Sequence, residues 1–404
     1  MERELWLFTM RFPYGNGEAF LENELPYLVQ RFRHVRIFPL EAIGSMRPLP
    51  EQVQVEPALK DQYAGAGLLD LIRQAPLMWR IYKVLRADAP SAAVFKRRWP
   101  DARSRLRQAL KRTLDLRRVH GDAYDPACVS LYSYWTSDWA TVLSLWRAMD
   151  PRVRFCSRMM GFDMFAHRAP DGWQSLQAFH LQQVDRVYAI SKAGLSHLTE
   201  RHPQHTAKYR LSHLATQDHG PGPWSPSATL RVASCSNLVG LKRVHLIAAA
   251  LGHIQGPVEW THFGDGPERE RVEAVVRDLP SRVQVQLKGS TPNKDIIAWY
   301  REHPVDLFVH ASETEGGAPV ALQEAASFGI PLIGCDAGGI PEIVTHRTGT
   351  LLPVDSSATE LAVAMVELYK RSDQDLRDAV RKHWGEHFRA DVVYKALADE
   401  LATG

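Results

Sequence analysis

With 404 residues, 45% hydrophobic and 24% charged, the chain has a soluble globular composition and is too long for one ordinary core; two domains of about 200 residues are expected. The start, MERELWLFTM, has three charges in its first four residues, which excludes a signal peptide, and no apolar run is long enough to span a bilayer. Four single cysteines (Cys128, Cys156, Cys235, Cys335) in or beside strand-like runs exclude a disulfide framework and a Cys-x-x-Cys metal site, and point to a reduced, cytoplasmic protein.

In chain order, LWLFTM reads as a strand, YGNG as a glycine loop, EAFLENELPYLVQRF as mostly helix and VRIFPL as a second strand. Gly15 and Gly17 leave the loop's backbone amides open to a phosphate or a sugar. Phe20 stands where a dinucleotide fingerprint needs its third glycine, which argues against an NAD-dependent oxidoreductase. A helical insertion follows at about 60–118. Residues 71–118 hold fourteen Lys/Arg against three Asp, interleaved with Leu77, Trp79, Tyr82, Leu85, Phe95, Trp99, Leu106, Leu110 and Leu114. Basic amphipathic helices of this kind suit an anionic membrane surface. No nucleic-acid motif accompanies the charge, so a membrane is favoured over that polyanion; a plain solvated face is the simpler alternative. CVSLYS (128–133), RVRFCS (152–157) and RVYAIS (186–191) are three more strands. Residues 1–215 thus form a first domain and ATQDHGPGPWSPSAT carries a linker at 216–228.

From 229 to 385, strand-length runs at 230–236, 258–264, 283–289, 306–312 and 331–335 alternate with helical segments. That spacing means right-handed crossovers and a parallel, doubly wound sheet. Ligands of such sheets bind beyond the carboxyl ends of the strands, so the segments just after strands matter. NLVGLKRV places Lys242 at a helix start, suited to a phosphate. KGSTPNKD, with Lys288 and Gly289, reads as the lining of a base pocket. In SETEGGAPVALQEAASFGIP a helix is expected from Pro319, at its first position, to Phe328, with Gly329 left-handed just beyond its end. Glu315, Gly316, Gly317, Ala318, Pro319 and Val320 lead into it, and free amides at its start make an anion site. Glu324, about one turn inside a largely apolar helix, has the right chemistry to accept hydrogen bonds from a ribose diol, and DAGGIPEIV (336–344) supplies a second glycine loop.

These residues resemble the retaining GT-B glycosyltransferases of family four. The likeness is strongest over 229–345, in SETEGGAPVALQEAASFGIPLIGCDAGGIPEIV; FPYGNGEAFLENEL and HWGEHFRADVVYKAL resemble the subset that builds bacterial surface polysaccharides. The resemblance implies two Rossmann-like domains facing a cleft, with the last helix (386–404) crossing back to the first. It implies a nucleotide-diphosphate sugar of UDP or GDP type as donor, no metal or other cofactor, and a glycan or lipid-linked acceptor at the inner face of the membrane. Glu324 matches the acid that holds the donor ribose. Glu315, one residue out of the usual spacing, matches the acid that contacts the donor sugar, and Lys242 matches the lysine on the diphosphate. Asn237 stands where an arginine is usual. In MGFD (160–163) Met160 replaces a histidine, and Arg158 is the group expected to compensate; Glu18 and Asp163 complete the sugar or acceptor side. With these departures, the alternative is a weak or inactive nucleotide-sugar-binding subunit of an assembly complex.

Overall fold

A computed structural model describes residues 3–15, 17–57 and 72–403; residues 60–71 of the expected insertion lie outside them. The contacts divide the chain into two units, 1–212 with 394–404, and 213–393. In the first, β1 (Glu4–Thr9) lies mid-sheet, flanked by β2 (His34–Pro39) and β4 (Val129–Ser133), with β3 (Val53–Val55), β5 (Phe155–Met159), β6 (Arg186–Ala189) and β7 (Tyr209–Leu211) outward in the order β3-β2-β1-β4-β5-β6-β7. Every pairing is parallel. Between β3 and β4 the basic segment forms two helices, Ala75–Asp88 and Ala92–His120.

The second unit repeats the plan with β8 (Leu230–Cys235), β9 (Val258–Phe263), β10 (Val283–Leu287), β11 (Leu307–His310), β12 (Leu332–Cys335) and β13 (Gly349–Leu352), again all parallel, in the order β10-β9-β8-β11-β12-β13. Strand alternation explains its double-sided core: Leu307 and Val309 of β11 join one apolar cluster and Phe308, between them, joins the other. The strand order reverses between β8 and β11, so the loops after these two strands flank the switch point where such sheets take ligands. Both units are Rossmann-like, as the resemblance implied.

Three details differ from expectation. Short edge strands β3, β7 and β13 carry too few residues to show a period in the sequence. The strand expected at 152–157 runs from Phe155 to Met159, because Asp150 and Arg152 bind one another in the preceding turn. The expected linker lies on the second unit: the indole of Trp224 donates to Asp306 (2.9 Å) and the Gly222 amide to the Phe328 carbonyl (3.0 Å).

Candidate functional site

The second unit gathers most of the expected donor-side residues in loops beyond β8, β10, β11 and β12. After β8 a short turn, Gly240–Lys242, leads into the helix Val244–His253 through Arg243, whose φ of 48° is left-handed. That conformation costs a non-glycine residue about 1–2 kcal/mol. The guanidinium offsets it by donating to the carbonyls of Ala311 (2.8 Å) and Val354 and to Cys335 Sγ (3.2 Å). One side chain thus ties the turn to the last residue of β12 and to the segments following β11 and β13. The Leu241 carbonyl accepts from the Glu313 amide and the Ser312 hydroxyl, which seats the loop after β11 beside Lys242.

There Glu315 receives both the Lys242 ammonium and His310 Nε2, the latter at 2.8 Å, on one carboxylate oxygen. The three side chains are 15%, 20% and 4% exposed for Glu315, Lys242 and His310. Burial by itself raises the Glu315 pKa. The His310 hydrogen bond and the Lys242 charge outweigh burial and hold it at about 2, so the group is ionised at neutral pH. An ionised carboxylate only accepts, so His310 Nε2 carries the proton. Burial pushes the His310 pKa down, and Glu315 opposes that shift without reversing it.

Past Glu315 the chain runs through Gly316 and Gly317 against the second glycine loop. A Cβ on Gly338 would lie 1.9 Å from the Glu315 carbonyl oxygen, and one on Gly339 2.4 Å from the Ala318 nitrogen. Only glycine permits this backbone-to-backbone stacking. The helix is Val320–Ser327. Pro319 caps it instead of opening it: its backbone is extended (ψ 133°) and its carbonyl accepts the Leu322 and Gln323 amides. Gly329 is left-handed as expected (φ 76°). Glu324 is buried and accepts from Asn293 Nδ2 at 2.7 Å; desolvation raises its pKa to about 7 against that hydrogen bond. Asn237 and Lys288 are exposed, each just beyond a strand, and Gly289 is left-handed (φ 69°), its carbonyl accepting the Gly264 amide.

Reading the sequence missed His310 and Asn293. His310 had a signal, a polar residue closing an apolar strand five positions before Glu315. Asn293 lay inside the segment assigned to the base pocket, but nothing in the sequence paired it with Glu324.

In the first unit the structure corrects several assignments. Arg158 is no substrate contact: it is fully buried, 3.0 Å from the equally buried Glu24, and donates to the Tyr132 hydroxyl. With β5 running to Met159 it falls inside the strand, not after it. Glu18 is spent on its own loop. Its carboxylate accepts the amides of Met10, Arg11 and Phe12 and the Trp135 indole, which fills its acceptor capacity. The Gly15 amide is likewise committed, to the Ser45 carbonyl, and Arg47 holds the Gly15 and Gly17 carbonyls. Met160 is buried, and its amide donates to Asp163, which also accepts from the Thr136 amide. Burial lifts the Asp163 pKa to about 7. Asp163 does line a pocket of about 400 Å³, with Arg105, Ser137, Asp138, Phe162, Arg168 and His180. Polar groups around one exposed aromatic ring form a lining suited to a saccharide.

Residues 229–371 match the family model described as Glycosyl transferases group 1. The chain is 26% identical over 181 residues to the amylovoran biosynthesis glycosyltransferase AmsK of Erwinia amylovora (43% of this chain, 44% of that protein). It is 33% identical over 146 residues to a GDP-mannose-dependent alpha-mannosyltransferase of Mycobacterium tuberculosis (36% of each). These matches span less than half the length of the curated relatives. Among solved structures, HepE of Anabaena, crystallised with UDP, superposes over the whole of both chains with a TM-score of 0.66 at 17% identity, a likeness of fold.

Proposed function

From the match of residues 229–371 to the Glycosyl transferases group 1 model, we propose that the protein is a retaining glycosyltransferase of bacterial polysaccharide synthesis. Its donor is a nucleotide-diphosphate sugar; the relatives name both a guanosine donor and UDP, so either base fits. The acceptor is a glycan or lipid-linked oligosaccharide presented at the inner face of an anionic membrane. The observation that carries the reading is the cluster of Lys242, Glu315 and His310, its carboxylate lying in the loop that leads into the helix at Val320.

In the proposed reaction the acceptor hydroxyl attacks the anomeric carbon from the face that the diphosphate leaves. The acceptor oxygen–carbon bond forms as the carbon–phosphate-oxygen bond breaks, and the departing phosphate oxygen takes the hydroxyl proton. Lys242 and the helix-start amides stabilise the growing negative charge without a metal. Without donor, the ammonium neutralises Glu315. When the diphosphate draws it away, the Nε2–H of His310 keeps that carboxylate partnered, so Lys242 can turn to the phosphate without stranding a buried charge. Glu315 then clamps the donor sugar and Glu324 holds the ribose. The 400 Å³ pocket of the first unit serves the acceptor saccharide.

The test supplies purified protein with candidate donors and acceptors and follows acceptor-dependent release of nucleotide diphosphate. NMR of the product should show the donor's anomeric configuration retained; an inverted product contradicts the proposed displacement. A second reading is a subunit that binds nucleotide sugar without turning it over, favoured by the neutral Asn237 where the resemblance calls for arginine. It predicts saturable binding and no transfer to any acceptor.

A further inference from the structure

The basic helices are more than a diffuse cloud of charge. Of their three acids, Asp88 accepts the Trp173 indole, Asp101 serves Arg98 and Arg105, and Asp115 serves Arg118. This leaves one row of the long helix Ala92–His120, at Arg103, Arg107 and Lys111, with no acid at ion-pair distance among the described residues, Lys111 feeling only the longer-range attraction of Asp115. Spaced four apart, the three share a face. With Pro100, Ser104 and Gln108 they line a groove of about 320 Å³. An aromatic cluster adjoins its start: Trp79, 57% exposed, stacks on Tyr82 at 5.3 Å, and Tyr82 meets the edge of Trp99, the residue before Pro100, at 4.9 Å. Lys83 lies over the Trp79 ring, and Ile72 is also exposed.

Resting on the membrane location proposed above, we infer that this groove is a discrete binding site for the phosphate headgroups of an anionic bilayer, with Trp79 as its interfacial anchor. Cations along one helix face meet phosphates, and amphipathic rings beside them settle at headgroup depth. Among the described residues no helix is long and apolar enough to cross a membrane, so the contact is lateral. The opposite face of the same turns carries Arg105 and Ala109 into the 400 Å³ pocket. A helix is about 10 Å across, so docking through the groove holds that pocket about one helix diameter from the lipid surface, where a lipid-linked acceptor presents its saccharide.

The experiment is co-sedimentation of the full chain with phosphatidylcholine vesicles, with and without phosphatidylglycerol. The triple variant R103Q/R107Q/K111Q is compared with a charge-matched control, R33Q/R80Q/K96Q. The groove triple should bind anionic vesicles about a hundredfold more weakly, while the control stays within a few-fold of wild type. Turnover of a water-soluble acceptor by the groove triple should be unchanged. Equal loss in both triples overturns the groove and leaves the membrane location standing. Wild-type binding that ignores phosphatidylglycerol overturns both. A groove triple that keeps vesicle binding but loses binding to duplex RNA assigns the cations to nucleic acid and also overturns the inference.

Discussion

Two ion pairs, one in each unit, show how the same chemistry is put to different uses. Arg158 and Glu24 are sealed in the first unit, both fully buried, with the Tyr132 hydroxyl as a further partner and the Tyr134 and Tyr394 rings within 6.0 Å of the guanidinium. Lys242 and Glu315 are partly open, and His310 already shares the carboxylate. A sealed pair has no way to exchange partners, so its role is in the fold. An accessible pair with a third group in reach can release its cation to an incoming anion. Exposure and a spare partner, more than residue type, separate the candidate site from the core.

That contrast predicts opposite phenotypes. The largest effect is on stability. Arg158→Ala strands a buried carboxylate and should cost about 3–5 kcal/mol, read by denaturant unfolding, whereas the paired change Arg158→Met with Glu24→Leu should recover most of the loss. If Arg158→Ala left stability unchanged and reduced only turnover, the sealed pair would be functional and the contrast would fail. Next, Lys242→Ala should lower transfer by about 10²–10³-fold with little change in the unfolding midpoint. His310→Ala should have a smaller effect, on the order of tenfold, with Glu315 titrating at higher pH. The activity profile would then lose its acid limb's plateau earlier as pH falls. A variant with wild-type activity and an unmoved acid limb would remove His310 from the account.

The smallest effect concerns Glu324. Burial raises its folded pKa to about 7 from an ordinary 4.5. The folded state therefore binds this proton more tightly than the unfolded one. The associated stability is fully present below about pH 4.5 and falls as pH rises through 7. Donor affinity should move the other way, tightening from pH 6 to 8 as the carboxylate ionises and accepts the ribose hydroxyls. Glu324→Gln should flatten both trends in thermal unfolding and in donor titrations; trends that persist in that variant would assign them to another group.

The sequence was most legible where one physical constraint dominated. Strands β11 and β12 of the second unit are buried throughout and read as near-continuous apolar runs, and the paired glycines at 316–317 and 338–339 mark where backbones stack. Lys242 and Glu315 were readable as loop residues after strands, though nothing local revealed that they bind each other across 73 positions. Arg158 failed for a nameable reason: placing the strand end at 157 moved a core side chain into a loop. Glu18 failed because a glycine loop invites a ligand reading when an acid inside it can equally gather the loop's own amides. Both errors concern where a polar side chain points, which is set by tertiary partners distant in the chain.

The most direct test of the central claim is calorimetric titration of UDP and GDP, in the presence of a chelator, into wild-type protein and Lys242→Ala. The account predicts that one nucleotide binds the wild type without added metal and binds the variant roughly 10–100-fold more weakly. Equal affinity in the two proteins, or binding that requires magnesium, would contradict it.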